Sequence, residues 1–397
     1  MIDVPAAQQL VLRHARCGST ESIPFGLACL DRTLAADIRA TGDSPPFDKS
    51  MMDGYAVRAA DVASLGVRLR AMGMIPAGGT ASTELLPNHA VRIFTGAPMP
   101  PGADAVVKQE DVTRDGDDIV LSLTVPVQVG QNIVRRASDM STGDTVLQRG
   151  TRIRPAVLGL LATLGSPSVP VVQRPTGSVL ATGSELVGVD RQPVGSQIRN
   201  SNGPMLAGLA LYCGAEVVRE LLVPDDPAQL RTAIRSASTS DVLILSGGVS
   251  VGDFDHVPGV LGELGMTTHF HQVRMKPGKP VLFGMLGETL VFGLPGNPLS
   301  AFVCFHLFVR PALQAMLGGS PNITPIQVPL TTDCHSKHDR PTYAPAKLHP
   351  HGVEPLPWQG SSTIRALVEA DALQLLPAGE FRAKAGELVP VLALFDQ

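Results

Sequence analysis

The feature that most constrains the fold is a buried strand that runs straight into a glycine-rich loop. Residues Asp241–Leu245 (DVLIL) form a short apolar run rich in β-branched side chains, which is typical of a strand buried in a parallel sheet. The run continues into Ser246–Gly252 (SGGVSVG). Because glycine has no Cβ, the backbone N–H groups of such a loop can approach an anion closely. The stretch therefore predicts an anion-binding loop at the end of a sheet strand.

A second glycine-rich loop, Gly293–Pro298 (GLPGNP), follows further along the chain. Asn297 is a favourable N-cap and Pro298 suits the first helical position, so a helix is predicted over residues 299–317. Between the two loops, the KPGKP motif of residues 276–280 places two lysines on a stiff turn, and Asp253 and Asp255 follow the first loop. Together these groups predict a site for a phosphorylated ligand with a divalent metal ion.

From Pro175 onward the chain alternates between strand and helix patterns. Strands are predicted at 179–182, 216–223 and 241–245, and helices at 202–213 and 228–236. This alternation predicts a mostly parallel sheet with helices on both faces, which binds ligands beyond the carboxyl ends of its strands. The polar residues just after predicted strands are Glu185, Asp225, Ser246–Gly252 and Asp255. Asp226 is instead predicted to be the N-cap of the helix that follows it.

The remaining segments have other patterns. Helices are predicted at 2–16, 26–34 and 155–164, and strands at 67–72, 89–94, 105–108, 119–123, 326–331, 343–349 and 372–376. The fold class is therefore a multidomain α/β and β protein. Four domains are predicted: an elongated helical linker domain (1–50 and 137–173), a β-rich insert (51–136), a three-layer α/β domain (174–320) and a small C-terminal β-barrel (321–397).

Composition excludes several functional classes. The net charge is −4 and no basic run is present, so we expect no nucleic acid partner. No signal peptide or membrane-spanning run is expected either, and we expect no membrane partner. The five cysteines are scattered, without a Cys-x-x-Cys pair, which favours a reducing, cytoplasmic compartment and disfavours a zinc site. The spacing of His269 and His271 favours an edge strand over a metal site.

Five motifs resemble those of one family, the molybdopterin molybdenumtransferases, which also occur as one domain of gephyrin. The motifs are FDKSMMDGYA (47–56), TGAPMP (95–100), SGGVSVG (246–252), KPGKP (276–280) and GLPGNP (293–298). The resemblance covers essentially the whole chain. It implies a homodimer whose active site lies between the α/β domain of one subunit and the β-insert of the other, and it leaves room for transient contacts with other enzymes of molybdenum cofactor synthesis. It also implies the reaction. Adenylylated molybdopterin and molybdate are the substrates, AMP is released, and molybdenum becomes bound by the dithiolene, with Mg²⁺ assisting.

The resemblance implies part of the site, and the glycine loops and lysines described above supply the rest. The positions implied by the resemblance are Asp53, Thr95, Asp139, Glu185, Asp225, Asp255, Lys276, Pro295, Pro298 and Ser361. The expected catalytic residues are Asp53, Thr95, Asp139, Glu185, Asp225, Asp255 and Lys276. The expected ligand-binding residues are Ser246, Gly247, Gly248, Ser250, Gly252, Lys279, Pro295, Gly296, Asn297, Pro298 and Ser361. On chemical grounds, Mg²⁺ is expected at Asp225 and Asp255 with Glu185 nearby, and molybdate at Lys276 and Lys279.

The roles of Gln272 and Asp48 have alternative interpretations, and so does the function of the chain. Gln272 stands where family members often have lysine, and Arg274, one strand step further along the same face, is expected to substitute for it. Asp48 either caps its own turn or binds a ligand. The alternative functions are the preceding adenylyltransferase, which shares the glycine-serine loop, and a gephyrin-like scaffold. The β-insert and the C-terminal domain disfavour the first, and the lack of a long linker disfavours the second.

Overall fold

The structure, a computed structural model, describes residues 1–249, 255–321 and 324–395. The chain forms two compact units. Unit 1 comprises Met1–Ile23, Cys29–Ala35 and Val169–Gln397, and unit 2 comprises Pro24–Ala28 and Ala36–Ser168. The four-domain boundaries given above stay a prediction.

A six-stranded sheet forms the centre of unit 1. In order across the sheet its strands are Glu216–Val223, Thr176–Thr182, Val242–Ser246, Thr289–Leu294, Leu282–Leu286 and Thr267–His271. Neighbours among the first four strands pair in parallel, and the last two strands pair antiparallel. The predicted strands at 179–182, 216–223 and 241–245 are confirmed, and His269 and His271 lie on an edge strand as predicted.

The strand Val242–Ser246 is buried on both faces of this sheet. Val242 and Ile244 pack into the core cluster that contains helix Asn202–Tyr212, whereas Leu243 and Leu245 pack into the cluster beneath helix Pro227–Ala237. Successive side chains of a strand point to opposite faces, so a strand covered on both faces needs an unbroken apolar run. This requirement explains why the run was visible in the sequence.

The predicted helices at 2–16, 202–213 and 228–236 are confirmed and the one at 299–317 is confirmed in part, whereas Val257–Glu263 and Arg365–Glu369 were not predicted. The described residues of unit 1 form seven helices. They are Val4–His14, Asn202–Tyr212, Pro227–Ala237, Val257–Glu263, Pro298–Cys304, Arg310–Met316 and Arg365–Glu369. Asp226 caps its helix as predicted, because its Oδ1 accepts a hydrogen bond from the Gln229 amide at 2.8 Å. The helix predicted over 299–317 is interrupted by a π turn at Phe305–Val309. Pro311 explains the interruption, since it lacks an amide donor and its ring crowds the preceding turn.

The segment Pro298–Met316 is long and apolar enough to cross a membrane, but 89% of its most apolar window is buried inside the protein. It packs as a core helix of unit 1, with Phe302, Phe305 and Phe308 in the main hydrophobic cluster.

The C-terminal part of unit 1 is rich in strands, as predicted, and its strands pair antiparallel. Its five-stranded sheet runs Ile326–Pro329, Leu388–Ala393, Ala372–Leu376, Thr342–His349 and Gly352–Pro355, and Cys334–His338 pairs with Gly379–Ala383. Residues from both sheets share one hydrophobic cluster. The sequence predicted no helix here, and the five-residue helix Arg365–Glu369 corrects that view.

Unit 2 contains a second six-stranded sheet. Its order is Ala105–Lys108, Gly54–Val57, His89–Ile93, Arg68–Ile75, Asp118–Leu121 and Val112–Asp115. Short ladders pair Lys49–Ser50 with Ile133–Val134 and Ile38–Arg39 with Thr145–Leu147, and the helix is Pro155–Thr163. The remaining ladders of the described chain pair Thr20–Pro24 with Ser168–Val172 and Leu186–Val187 with Ile198–Arg199.

The predicted helix at 26–34 is wrong. Only a single 3₁₀ turn, Leu27–Cys29, forms there. Asp31 follows with φ of 62°, a left-handed conformation that a right-handed helix does not contain.

The central sheet gives a stability prediction. Leu245 is fully buried, so Leu245→Ala should lower the free energy of unfolding by about 2–5 kcal/mol. Leu222→Ala, on the edge strand and 39% exposed, is the matched control and should cost far less. Urea unfolding followed by the fluorescence of Trp358, the single tryptophan, reports on this unit because Trp358 packs against the main core cluster. Equal losses for the two variants would contradict the assigned core.

Candidate functional site

A cleft of about 610 Å³ lies at the carboxyl ends of the parallel strands in unit 1. It is lined by residues from loops that follow several strands. Ten of the residues predicted for the site line it: Glu185, Asp225, Ser246, Gly247, Gly248, Asp255, Pro295, Gly296, Asn297 and Pro298. The prediction that these residues meet at one edge of the sheet agrees with this placement. Ser250 and Gly252, also predicted for this site, lie outside the described residues.

The first glycine loop is built against the neighbouring strand. Gly247 and Gly248 have φ values of 97° and 62°, which disfavour any residue with a side chain. A Cβ on Gly247 would lie 2.2 Å from the carbonyl oxygen of Thr182. The second loop lies in van der Waals contact with the first, since a Cβ on Gly296 would lie 3.6 Å from the Cα of Gly247. The two loops therefore lie side by side in the wall of the cleft without intervening side chains, an arrangement suited to a phosphate.

Asp225 is held in a fixed orientation beside this surface. Its Oδ1 accepts a hydrogen bond from the Thr182 hydroxyl at 2.7 Å, and its Oδ2 accepts one from the Ser184 amide at 3.0 Å. A carboxylate has about four acceptor positions, so each oxygen retains one for a ligand or metal.

The other two carboxylates complete an acidic rim. The Glu185 carboxylate lies over Gly183, where a Cβ would come within 2.7 Å of its Oε2. Together with Asp255, these three carboxylates face a single cationic side chain in the described lining, that of Arg199. Within the described ranges, no group of three or more His, Cys, Asp or Glu side chains is arranged to hold a metal by itself. This donor set fits Mg²⁺, which commonly takes one or two carboxylates and completes its shell with water and phosphate oxygens.

Asn297 occupies the predicted N-cap position but uses its side chain differently. Its side chain makes no capping hydrogen bond. Instead, Asn297 Nδ2 donates to the Ser361 hydroxyl at 2.8 Å, and the Leu299 amide donates to the Ser361 carbonyl at 3.1 Å. Ser361 is thus tied to the second glycine loop, and its neighbour Ser362 lines the cleft.

Sequence reasoning missed Asn202. Its Nδ2 donates to the Ser246 hydroxyl at 2.8 Å and to the Gly296 carbonyl at 2.7 Å, so this one side chain joins the two glycine loops. Asn202 is 7% exposed. In the sequence it is an asparagine at the start of a helix, which has an ordinary capping explanation, and no local signal indicates these distant partners.

The two predicted lysines do not line the cleft. Lys276 lies in a separate cavity, where its Nζ is 3.4 Å from His338 Nδ1 and 6.0 Å from the centre of the Trp358 ring. Burial, and then the nearby Lys276 charge, lower the pKa of His338. Lys279 is exposed. Their predicted role towards molybdate stays a prediction.

The expected relation between Gln272 and Arg274 is wrong. The strand ends at His271, one residue before Gln272. Gln272 has φ of 102°, so the alternation of a strand does not continue through it. Its amide donates to the Val281 carbonyl at 2.9 Å, whereas the Arg274 amide donates to Ile2 at 2.7 Å. The two side chains therefore do not share a strand face.

Three predicted residues belong to unit 2. Asp53 and Thr95 form a tight pair, in which the Thr95 hydroxyl and amide donate to Asp53 Oδ1 at 2.7 and 2.8 Å. These bonds, the hydroxyl first, lower the pKa of Asp53. Asp139 lies in a loop, and its amide donates to the Ser44 carbonyl at 3.0 Å.

The open question about Asp48 has a structural answer. Its Oδ2 accepts a hydrogen bond from the Arg135 guanidinium at 2.6 Å, and its Oδ1 accepts one from the Arg136 amide at 2.8 Å. The carboxylate therefore links two segments of unit 2 and does not cap its own turn.

Three family models match successive parts of the chain. The MoeA N-terminal region (domain I and II) matches residues 2–165, the probable molybdopterin binding domain matches residues 178–315, and the MoeA C-terminal region (domain IV) matches residues 327–394.

Similar proteins span the same length. A Bacillus subtilis protein named molybdopterin molybdenumtransferase is 36% identical over 408 residues, covering 100% of this chain and 95% of the relative. A Nostoc protein of the same name is 37% identical over 378 residues, covering 91% of this chain and 86% of the relative. The crystal structure of the molybdopterin biosynthesis MoeA protein from Pyrococcus horikoshii is similar with a TM-score of 0.86 at 30% identity, and covers 99% of this chain and 100% of that one.

The Asp53–Thr95 pair gives a testable pKa shift. Thr95→Val removes the hydrogen bond from the Thr95 hydroxyl, which contributes most to lowering the pKa of Asp53. It keeps the hydrogen bond from the backbone amide of residue 95. The pKa of Asp53 should therefore rise but stay below its ordinary value. The side-chain carboxyl carbon shift in an NMR pH titration measures it. Thr142→Val is the control, since it removes the equivalent bond to Asp43 and should leave Asp53 unchanged. An unmoved Asp53 in Thr95→Val would contradict the assigned cause.

Proposed function

The chain belongs to the molybdopterin molybdenumtransferase family, and we propose that its unit 1 cleft binds adenylylated molybdopterin and releases AMP as molybdenum is inserted. Insertion of molybdenum into molybdopterin, a step of molybdenum cofactor synthesis, is the activity that the relatives establish for this chain. One observation carries the proposal about the ligand: two glycine loops meet beside three carboxylates at the carboxyl edge of a parallel sheet.

The two glycine loops are proposed to bind the pyrophosphate of the substrate. Gly247 and Gly296 approach each other without intervening side chains, so backbone amides are the natural donors to phosphate oxygens. Asn202 keeps the loops at this separation through its two hydrogen bonds. When the pyrophosphate bond breaks, negative charge develops on the departing AMP phosphate, and preorganised donors stabilise that charge.

Magnesium is proposed at the acidic rim. Asp225 and Asp255, with Glu185 nearby, are the residues that would hold it. When bound, Mg²⁺ neutralises charge on the phosphate oxygens and favours departure of AMP. The three carboxylates outnumber the single arginine of the described lining, so an anionic ligand would otherwise meet net negative charge there. Thr182 and Ser184 hold the Asp225 carboxylate in position.

A homodimer with a shared active site is proposed on the family's pattern. Asp53, Thr95 and Asp139 of one subunit would complete the cleft of the other, and Lys276 and Lys279 would contribute to molybdate binding. The hydrogen bonds from Thr95 support a role for Asp53, because they keep its carboxylate ionised and oriented. We also propose a cytoplasmic location and transient contacts with other enzymes of the same synthesis.

The proposed reaction is tested by comparing substitutions of two adjacent aspartates, Asp225 and Asp226. Purified protein is given adenylylated molybdopterin, Mg²⁺ and molybdate, and AMP release is measured by chromatography. Asp225→Asn should lower the rate by at least about tenfold, because the cleft loses a charged ligand. Asp226→Asn is the control, since asparagine caps a helix as well as aspartate does and Asp226 is the cap of Pro227–Ala237. Equal rates for the two variants would refute the assignment, and pyrophosphate release from ATP with molybdopterin would indicate the adenylyltransferase instead.

The shared site is tested by mixing two variants. Asp53→Asn and Asp255→Asn should each be nearly inactive as homodimers. In a mixed dimer one site carries both substitutions and the other carries neither, so random re-pairing should restore about a quarter of all sites. Exchange is confirmed by native mass spectrometry before AMP release is assayed. Confirmed exchange without recovered activity would show that both residues serve a site within one subunit.

A further inference from the structure

A second cavity lies at the opposite end of the same sheet. Its volume is about 450 Å³. Pro175 and Asp241, which line it, directly precede the strands Thr176–Thr182 and Val242–Ser246. The cavity therefore lies at the amino ends of the parallel strands, whereas the proposed active site lies at their carboxyl ends.

Three arginines line this cavity without a protein partner. Arg13, Arg16 and Arg174 all contribute to its wall. None of the three guanidinium groups forms a side-chain hydrogen bond or an ion pair with any residue that the structure describes. The chain as a whole has a net charge of −4, so general basicity does not account for the cluster.

The dipole of a helix explains the position of one of the three arginines only. Arg13 lies in the last turn of helix Val4–His14, where a cation complements the helix dipole. Arg174 lies on no helix and comes just before a strand. Helix electrostatics therefore does not explain why Arg174 lines the same cavity as Arg13 and Arg16.

The remaining polar groups also favour an anion. The Ser19 hydroxyl donates to Gln173 Oε1 at 2.6 Å, which leaves the Gln173 amide nitrogen as a donor. Asp241 is already engaged, because its Oδ2 accepts from the Thr176 amide and hydroxyl, each at 2.7 Å. Glu288 is exposed on a hairpin turn. The lining thus holds three exposed arginines and an amide donor against one exposed carboxylate, that of Glu288, beyond the engaged Asp241.

We propose that this cavity binds a small multivalent oxyanion of the phosphate class, either a free oxyanion or the phosphate of a nucleotide. Guanidinium groups bind such oxygens in pairs of parallel hydrogen bonds, and several of them together select for more than one negative charge. The volume falls in the range of small-molecule sites, roughly 300–1,000 Å³. The site is separate from the proposed active site and does not rest on its assignment.

The cavity contains its own reporter. Cys17 lines it and is the single exposed cysteine among the five in the chain. An anion bound to the arginines would cover this thiol, so alkylation of Cys17 measures occupancy at this site alone. Binding of the same probe at the proposed active site would leave the measurement unaffected.

The experiment follows alkylation of Cys17 in the full chain by iodoacetamide, quantified by peptide mass spectrometry. Inorganic pyrophosphate is the probe, with sodium chloride added to keep the ionic strength constant. Pyrophosphate should slow the alkylation in the native sequence. In Arg13→Gln/Arg174→Gln the pyrophosphate concentration for half-protection should rise at least about tenfold, because charged hydrogen bonds are lost.

Two controls make the result specific. Arg219→Gln/Arg235→Gln removes two exposed charges outside the cavity and should retain native protection. Arg174→Gln alone, checked by circular dichroism, repeats the test with a smaller change. A second arm replaces pyrophosphate with phosphate and with AMP: tighter protection by AMP than by phosphate identifies a nucleotide, and equal protection identifies the free oxyanion. Alkylation unchanged by every probe, or protection that survives in Arg13→Gln/Arg174→Gln, would overturn the proposal.

Discussion

The parallel pairing of two central strands is the interaction on which the cleft depends. Val242–Ser246 and Thr289–Leu294 pair so that Ser246 lies opposite Leu294, and both glycine loops therefore leave the sheet at the same level. A shift of one residue would move one loop along the strand axis and reverse the faces of its buried side chains. The apolar faces fix the register, because Ile244 and Leu245 pack into different clusters on opposite sides of the sheet. The relative position of the two glycine loops thus follows from core packing.

Asn202 adds the second constraint. Strand pairing brings the loops to one edge, but the exact approach of Gly296 to Ser246 needs a bridge that packing alone does not supply. The buried Asn202 amide provides it, because its Nδ2 donates to the Ser246 hydroxyl of one loop and to the Gly296 carbonyl of the other. The bridge comes from helix Asn202–Tyr212, so the same helix that covers one face of the sheet also sets the width of the cleft.

Much of this architecture could be predicted because its signals are local. An unbroken apolar run predicted the strand Val242–Ser246, and the Asp226-Pro227 pair predicted the start of a helix. The ends of parallel strands share an edge, so placing Asp225 and Gly247 together needed no further information. Some failures have local causes, such as the left-handed conformations of Asp31 and Gln272, and others have long-range causes. The partners of Asn202 are 44 and 94 residues away, and the side chain of Asn297 binds Ser361 instead of its own helix. Local patterns do not encode such contacts.

The two ends of the sheet in unit 1 differ in charge, and the difference has a chemical meaning. At the carboxyl ends, the described lining of the cleft holds three carboxylates and one arginine, and for this reason we propose a divalent cation beside the phosphorylated ligand there. At the amino ends, three arginines face two carboxylates, one of which is engaged by Thr176, so an oxyanion needs no metal there. The two anion sites proposed on this sheet therefore have opposite requirements. Removal of Mg²⁺ should separate them, because only the acidic cleft depends on a cation to offset the charge of its own carboxylates.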